Sequence, residues 1–131
     1  MKTVMAQGTF DVLHPGHVHY LEKSAELGDR LVVVIARDSR VDRELAFDED
    51  ERREIVEALE AVDRAVLGSE GDIYTTVGEV DPDIITLGYD QGHDSEEVEE
   101  LAGEATGHEV EVVRLPGFRD YSSSWIKEGF S

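Results

Sequence analysis

Residues 3–17 read TVMAQGTFDVLHPGH, and this stretch decides the fold. Residues 3–7 are short and apolar and end at Gly8, which predicts a buried strand. Pro15 suits the first position of a helix, so a helix is expected to open at HPGH. The stretch therefore predicts a strand, a turn over GTFD and a helix, which is the junction where α/β proteins bind their ligands.

Strands and helices alternate along the rest of the chain. Residues 31–36 read LVVVIA, the continuous apolar run of a strand buried on both faces. Further strands are predicted over residues 65–67, 84–87 and 109–115, and helices over residues 15–27, 48–62, 73–80, 95–106 and 122–127. This alternation predicts an α/β fold, with one domain over residues 1–131 built as a three-layer sandwich around a parallel, Rossmann-like sheet.

Finer details of the helices are also predicted. Gly28 is expected to cap the first helix, and Ser95 to open the fourth within a loose capping box. Apolar positions of the second helix that should face the core are Ile55, Val56, Leu59 and Val62.

The chain is strongly acidic. Its 131 residues include 31 Asp and Glu against 12 Lys and Arg, a net charge of −19. Such a charge disfavours nucleic acids and anionic membranes as partners, because both attract basic surfaces. Many acids, few lysines and no cysteine are typical of an archaeal protein that works in molar salt, where short Debye lengths screen the repulsion. An acidic mesophilic protein is the alternative.

The absence of cysteine excludes disulfides, thiolate catalysis and cysteine-type zinc sites. The sequence has no apolar run of 18 residues and no signal-peptide pattern at its start. We therefore expect a cytoplasmic protein.

The HPGH segment carries the strongest chemical signal. His14 and His17 stand three residues apart and so share one side of the helical turn, where ring nitrogens can donate to phosphate oxygens. Gly16 leaves the helix N-terminus open to an anion, while Gly8 lets the backbone bend and Thr9 offers a hydroxyl. The alternatives are a capping histidine beside an ordinary surface one, or a metal site built on the two rings.

The motifs resemble a known family. GTFDVLHPGH (8–17) resembles the first signature of the HxGH nucleotidylyltransferases, in the cytidylyltransferase-like branch that includes the glycerol-3-phosphate cytidylyltransferases and the archaeal FAD synthases. Residues 20–38 are similar to the first helix and second strand of that branch, and residues 48–68 to its next helix and third strand. LGYDQ (87–91) is similar to a turn of the archaeal FAD synthases, and LPGFRDYSSSWIKE (115–128) is similar to the closing segment of the family. The resemblance implies a sheet of the nucleotidylyltransferase type.

The same resemblance implies a reaction. A phosphate monoester attacks the α-phosphate of a nucleoside triphosphate and releases pyrophosphate, so the protein must align the substrates and stabilise growing charge. Mg²⁺ is the expected divalent cation, bridging phosphate oxygens without a dedicated protein cage, and Asp11 is its possible protein ligand. A homodimer is also implied.

Site residues are assigned on these grounds. The expected catalytic residues are His14, His17, Lys23 and Arg52, of which Arg52 matches the family's helix arginine. The expected ATP-binding residues are Gly8, Thr9, Phe10, Asp11, His14, Gly16, His17, Gly88, Asp90, Gln91, Ser122, Ser123 and Ser124. The expected acceptor-binding residues are Arg37, Asp38, Arg40, Arg119 and Tyr121.

Several of these residues have a structural alternative. Asp11 can cap a loop, Lys23 can be an exposed helix lysine, and the three serines can cap a helix. Asp90 and Gln91 can belong to a polar turn. His93 and His108 are expected on the surface, Arg53 in solvent, and His19 facing away from the site.

The sequence departs from the cytidylyltransferases at two places. Gly117 stands where they carry an arginine after Leu-Pro, and Arg119 comes two positions later. The stretch after the second strand has Arg40 and Arg43 but no lysine. Both departures argue against a cytidylyltransferase, while LGYDQ, the C-terminal segment and the apparent archaeal origin favour an FAD synthase that transfers AMP from ATP to FMN. The alternatives are a CTP-dependent transferase acting on glycerol 3-phosphate or a similar alcohol phosphate, and a non-catalytic nucleotide-binding module.

Overall fold

Five strands and four helices alternate along the chain in the computed structural model, which describes residues 1–88 and 92–116. The strands are β1 (Thr3–Gly8), β2 (Arg30–Ile35), β3 (Arg64–Leu67), β4 (Ile84–Leu87) and β5 (Glu111–Arg114). The helices are α1 (Pro15–Ala25), α2 (Glu49–Glu57), α3 (Ile73–Val80) and α4 (Ser95–Thr106), and a 3₁₀ turn (Asp38–Arg40) follows β2. The predicted α/β fold is confirmed.

The strands form one parallel sheet in the order β3-β2-β1-β4-β5. β1 is central, and its Val4 lies opposite Leu31 of β2 on one side and Ile84 of β4 on the other. The chain fills one side of β1 first and then crosses to the other side. The winding therefore reverses between β1 and β4, which is where sheets of this type bind their ligands, at the carboxyl ends of the strands.

Helices cover both faces of the sheet. Successive strand residues point to opposite faces, so the core has two layers. On one face Val4, Ala6, Leu31, Val33 and Ile35 pack with Leu21 of α1 and Val56 of α2. On the other face Met5, Val34, Ile85 and Leu87 pack with Val77 of α3 and with Val98 and Ala102 of α4. The LVVVIA run is buried on both faces, as predicted.

The end of α1 differs from the prediction. The helix stops at Ala25 with Glu26 as its C-cap, so Gly28 is not the capping residue. A Cβ on Gly28 would lie 2.7 Å from a methyl carbon of Val4 and 2.8 Å from the Lys2 carbonyl oxygen. This glycine therefore serves the close approach of the chain to the start of β1.

Two other local predictions are corrected. α2 ends at Glu57, because the chain has to turn before it enters β3, and Ile55 is exposed rather than facing the core. Asp94, not Ser95, is the N-cap of α4, and its carboxylate accepts the Glu96 N–H at 2.9 Å. Within the described ranges, no helix has the length and apolar character needed to cross a membrane.

Candidate active site

The GTFD turn and the start of α1 lie at the carboxyl end of the central strand. His14 is the N-cap of α1, and its Nδ1 accepts the backbone N–H groups of Gly16 at 3.0 Å and His17 at 3.4 Å. The Nδ1 of His17 in turn accepts the His14 N–H at 3.3 Å. Two histidines thus make a reciprocal capping box at the helix N-terminus, where backbone N–H groups and the helix dipole favour an anion.

This capping fixes the tautomer of both rings. An Nδ1 that accepts a hydrogen bond carries no proton, so each neutral ring has its proton on Nε2. The sequence offered capping and phosphate binding by His14 as alternatives. The geometry makes them compatible, because capping uses Nδ1 and turns Nε2–H into a defined donor.

The two rings are stacked, with centroids 3.8 Å apart and planes 20° from parallel. Burial, followed by the nearby charges of His14 and Arg43, lowers the pKa of His17 from 6.5 to about 4. His17 is therefore neutral at physiological pH and acts as a hydrogen-bond donor rather than as a cation.

Phe10 also contacts the His17 ring. Its ring meets the His17 ring edge-on, with centroids 5.3 Å apart. Phe10 is buried and has a left-handed backbone, with φ of 51°. A Cβ on Gly8 would lie 2.8 Å from two carbons of the Phe10 ring. The glycine at position 8 thus makes room for Phe10 and, through it, for the histidine rings.

Asp11 is buried and serves the backbone. Its carboxylate accepts the N–H groups of Ala46 and Phe47 at 3.0 Å. This is the loop-capping alternative. Among residues 1–88 and 92–116 no cluster of three His, Cys, Asp or Glu side chains suits a metal ion.

Two predicted catalytic cations are engaged by other groups of the protein. Lys23 is in the last turn of α1, half-exposed and 3.3 Å from the Glu26 carboxylate. Six residues of helix separate it from His17 by about 9 Å along the axis. Arg52 is fully buried, and its guanidinium donates to the Thr9 and Phe47 carbonyls and to Asp38. Both side chains thus have partners other than the two histidines.

A cavity of about 390 Å³ opens beside the turn, over the ends of β1, β2 and β3. Its apolar lining comes from Met5, Val34, Ala36 and Ile73, and its polar lining includes Gln7, Thr9, Arg40, Ser69, Thr76 and His93. The size lies within the range of about 300–1,000 Å³ that is typical of small-molecule sites. Gly8 and Thr9 belong to both the cavity and the turn.

The three predicted acceptor-binding residues that the structure describes differ in whether they line this cavity. Arg40 lines it, and its Nε donates to the Ser69 carbonyl at 2.8 Å. Arg37 instead donates to the Gly68 carbonyl and to Glu49, and Asp38 accepts from Arg52. Both residues therefore bind the scaffold.

Sequence reasoning missed His93 as a cavity residue. The side chain is exposed, as predicted, but it also lines the cavity. Its position just after the carboxyl end of β4 is the signal that could have found it. The sequence predicts that His19 faces away from the site, but this residue lines a second groove together with His14, Leu13 and Leu59. Asp90, Gln91, Arg119, Tyr121, Ser122, Ser123 and Ser124 lie outside the described residues.

Comparison with known proteins identifies the family of the chain. The cytidylyltransferase-like family matches residues 5–129. The chain belongs to this family. The predicted resemblance is thereby confirmed, and with it the expectation of a nucleotidyltransferase.

Relatives within the family are close. The chain is 54% identical to an FAD synthase of Natrialba magadii over 118 residues, 88% of this chain and 79% of the relative. It is 54% identical to an FAD synthase of Aciduliprofundum boonei over 123 residues, 92% of this chain and 82% of the relative. A crystal structure described as a lipopolysaccharide core biosynthesis protein of Thermoplasma volcanium superposes with a TM-score of 0.86 at 50% identity, covering 90% of this chain and 98% of that one.

Proposed function

We propose that this cytidylyltransferase-like chain is an FAD synthase, in which the phosphate of FMN attacks the α-phosphate of ATP to give FAD and pyrophosphate. The observation that carries the proposal is the locked histidine pair at the start of α1, which follows a turn whose Gly8 and Thr9 line an apolar-lined cavity. FAD synthases that share half of its residues support the choice of substrates.

The histidine pair supplies stabilisation of the transition state. Negative charge grows on the α-phosphate and on the departing pyrophosphate, and the Nε2–H groups of His14 and His17 are fixed donors for it. The N-terminus of α1 adds its dipole. Because His17 is neutral, its hydrogen bond needs no prior proton uptake. Loss of one such donor typically costs about 10²–10³ in kcat.

The cavity suits the flavin. A tricyclic ring can lie against Met5, Val34 and Ile73, while Arg40 and His93 on the lining face the polar part of the acceptor. A glycerol phosphate would leave this apolar surface uncovered. The cavity therefore favours FMN over a small alcohol phosphate as the acceptor.

Magnesium is proposed to enter with the triphosphate and to supply charge neutralisation on the leaving pyrophosphate. The Asp11 carboxylate accepts two backbone N–H groups, so it is not arranged as a metal ligand. The site therefore fits a cation whose ligands would be phosphate oxygens and water. We further propose a homodimer that works in a salt-rich cytoplasm.

Product analysis tests the reaction. The full chain in molar KCl and Mg²⁺ is incubated with FMN and ATP, and separately with glycerol 3-phosphate and CTP. We expect FAD and pyrophosphate in equal amounts from the first mixture alone. A CDP product alone, or no product from folded protein, would overturn the proposal.

Variants test the site. His17→Ala should lower kcat about 10²–10³-fold, as expected for a lost transition-state donor. His108→Ala is the matched control. His108 lies with Asp81 at the amino-terminal ends of β4 and β5, so this substitution should leave kcat unchanged. Ile73→Trp fills the cavity and should raise KM for FMN more than KM for ATP. Equal effects on both KM values would argue against the cavity as the flavin site.

A further inference from the structure

Among the residues that the structure describes, Arg52 is a cation with a fully buried side chain. Its side chain has no exposed surface, and a guanidinium removed from water is tolerated only with hydrogen-bond partners. Nε donates to the Phe47 carbonyl at 3.2 Å, one terminal nitrogen to the Thr9 carbonyl at 2.8 Å, and the other to the Asp38 carboxylate at 2.6 Å. All three nitrogens are therefore directed at protein oxygens.

The Thr9 contact reaches the histidine turn. Thr9 immediately precedes Phe10, whose left-handed backbone sets the ring against His17. The backbone of Phe47 is held at both of its polar groups, since its carbonyl accepts from Arg52 and its N–H donates to Asp11. Arg52 and Asp11 thus tie the turn after β1 to the segment before α2.

The Asp38 contact reaches the cavity. The Asp38 N–H donates to Glu49 at 2.9 Å, Glu49 accepts from Arg37 at 2.9 Å, and Arg37 donates to the Gly68 carbonyl at 2.7 Å. We call Arg52, Asp38, Glu49 and Arg37 the charged chain. It joins the carboxyl ends of β1, β2 and β3, which are the three strands beneath the cavity.

We propose that Arg52 is a positioning residue, which holds the histidine turn in place through Thr9 and Asp38 and does not bind the triphosphate. The inference rests on the proposed function. A phosphate could reach the guanidinium only by displacing Asp38 at 2.6 Å, together with the protein groups that cover the side chain. The sequence-based role of Arg52 as a triphosphate contact is thereby replaced.

Steady-state kinetics separate the two roles. A misplaced reacting group costs about 10²-fold for a displacement near 1 Å, so Arg52→Lys should lower kcat by about that factor. KM for ATP should change less than about threefold, since the lysine removes no phosphate contact. Asp38→Asn should lower kcat in the same way, and Arg52→Lys/Asp38→Asn should be no worse than Arg52→Lys alone. Arg53→Lys, at a half-buried neighbour paired with Glu57, is the matched control.

A second readout does not need the reaction. Calorimetry gives the Kd for ATP, and NMR follows the titration of the His17 ring in each folded variant. Both Arg52→Lys and Asp38→Asn should raise the pKa of His17 toward its ordinary value while the Kd for ATP stays within about threefold. Should Arg52→Lys fail to fold, Asp38→Asn and Glu49→Gln carry the same test, because these carboxylates lie at the surface end of the charged chain.

The outcomes are distinct. A tenfold or larger rise in Kd for ATP in Arg52→Lys, with kcat and the His17 titration unchanged in Asp38→Asn, would overturn the positioning role. A wild-type protein that makes no FAD would instead refute the proposed function, and the ATP and NMR measurements would still decide the role of Arg52.

Discussion

Replacing Gly8 by alanine tests whether ring packing positions the histidines. The new Cβ would lie 2.8 Å from two carbons of the Phe10 ring, whereas ordinary contact begins at 3.4 Å. The ring must therefore withdraw by about 0.6 Å, and overpacking of this kind costs about 1–3 kcal/mol. Phe10 touches His17 edge-on, so the displacement passes to the histidine rings.

Two quantities should change together. Unfolding followed by circular dichroism in molar KCl should show a melting temperature lower by about 4 °C for each kcal/mol lost. FAD formation at saturating FMN and ATP should show a fall in kcat approaching about 10²-fold, since the displaced His17 is a donor to the transition state. A second substitution, Phe10→Leu, removes the clashing ring atoms and should restore the melting temperature of Gly8→Ala but not its kcat.

Gly103→Ala is the matched control. Gly103 lies in α4, and the nearest atom to its added Cβ is the His108 carbonyl oxygen beyond the end of that helix, at an ordinary contact distance of 3.6 Å. Alanine in a helix should stabilise the protein by about 0.5–1 kcal/mol and leave kcat unchanged. Wild-type kcat and melting temperature in Gly8→Ala would refute the reasoning, because the Phe10 ring would then not depend on the glycine.

Three further predictions concern ionisation and buried hydroxyls. Because the pKa of His17 is about 4 in the folded protein, the unfolded chain takes up its proton at a higher pH than the folded chain does. The free energy of unfolding should therefore fall as pH drops from 6.5 to 4, and His17→Phe should flatten that decline in denaturant titrations. The pKa of His108 is raised by its hydrogen bond to the Glu109 carbonyl and then by Asp81. The contribution of His108 to the free energy of unfolding is therefore present below pH 6.5 and is lost as pH rises through the folded pKa. His108→Asn should abolish this loss, and a variant whose stability depends on pH as in the wild type would contradict the prediction. Thr86→Val removes the hydroxyl bonded to Ser24 at 2.8 Å in the buried contact between α1 and β4, and should cost about 1–2 kcal/mol in chemical denaturation with little change in KM for ATP.

Much of the fold follows from local patterns. α3, β4 and α4 begin and end where the spacing of apolar residues places them. The LVVVIA run indicates a strand with helices on both sides, because only such a strand can bury every side chain. The ends of α1 and α2 could not be predicted as well, since they depend on where the chain must turn to reach β2 and β3.

The candidate site divides in the same way. HPGH by itself indicates an anion site, because the proline, the glycine and the histidines lie within one helical turn. The roles of Arg52 and Asp11 depend on partners 35 to 43 residues away, and no local pattern contains that information. Their charges suggest a ligand in the sequence, whereas burial directs them to backbone groups.

The sequence by itself determined which segments become strands and helices and which turn holds the histidines, because apolar periodicity and capping act over a few residues. Tertiary structure alone decided that β4 lies beside β1, that His93 lines the cavity and that Arg52 donates to the Thr9 carbonyl in the turn. These arrangements bring together residues distant in the chain, and packing of the two core layers selects them. A buried polar group forms hydrogen bonds with the backbone groups that lie near it in the folded protein, and these partners are set only by the tertiary fold.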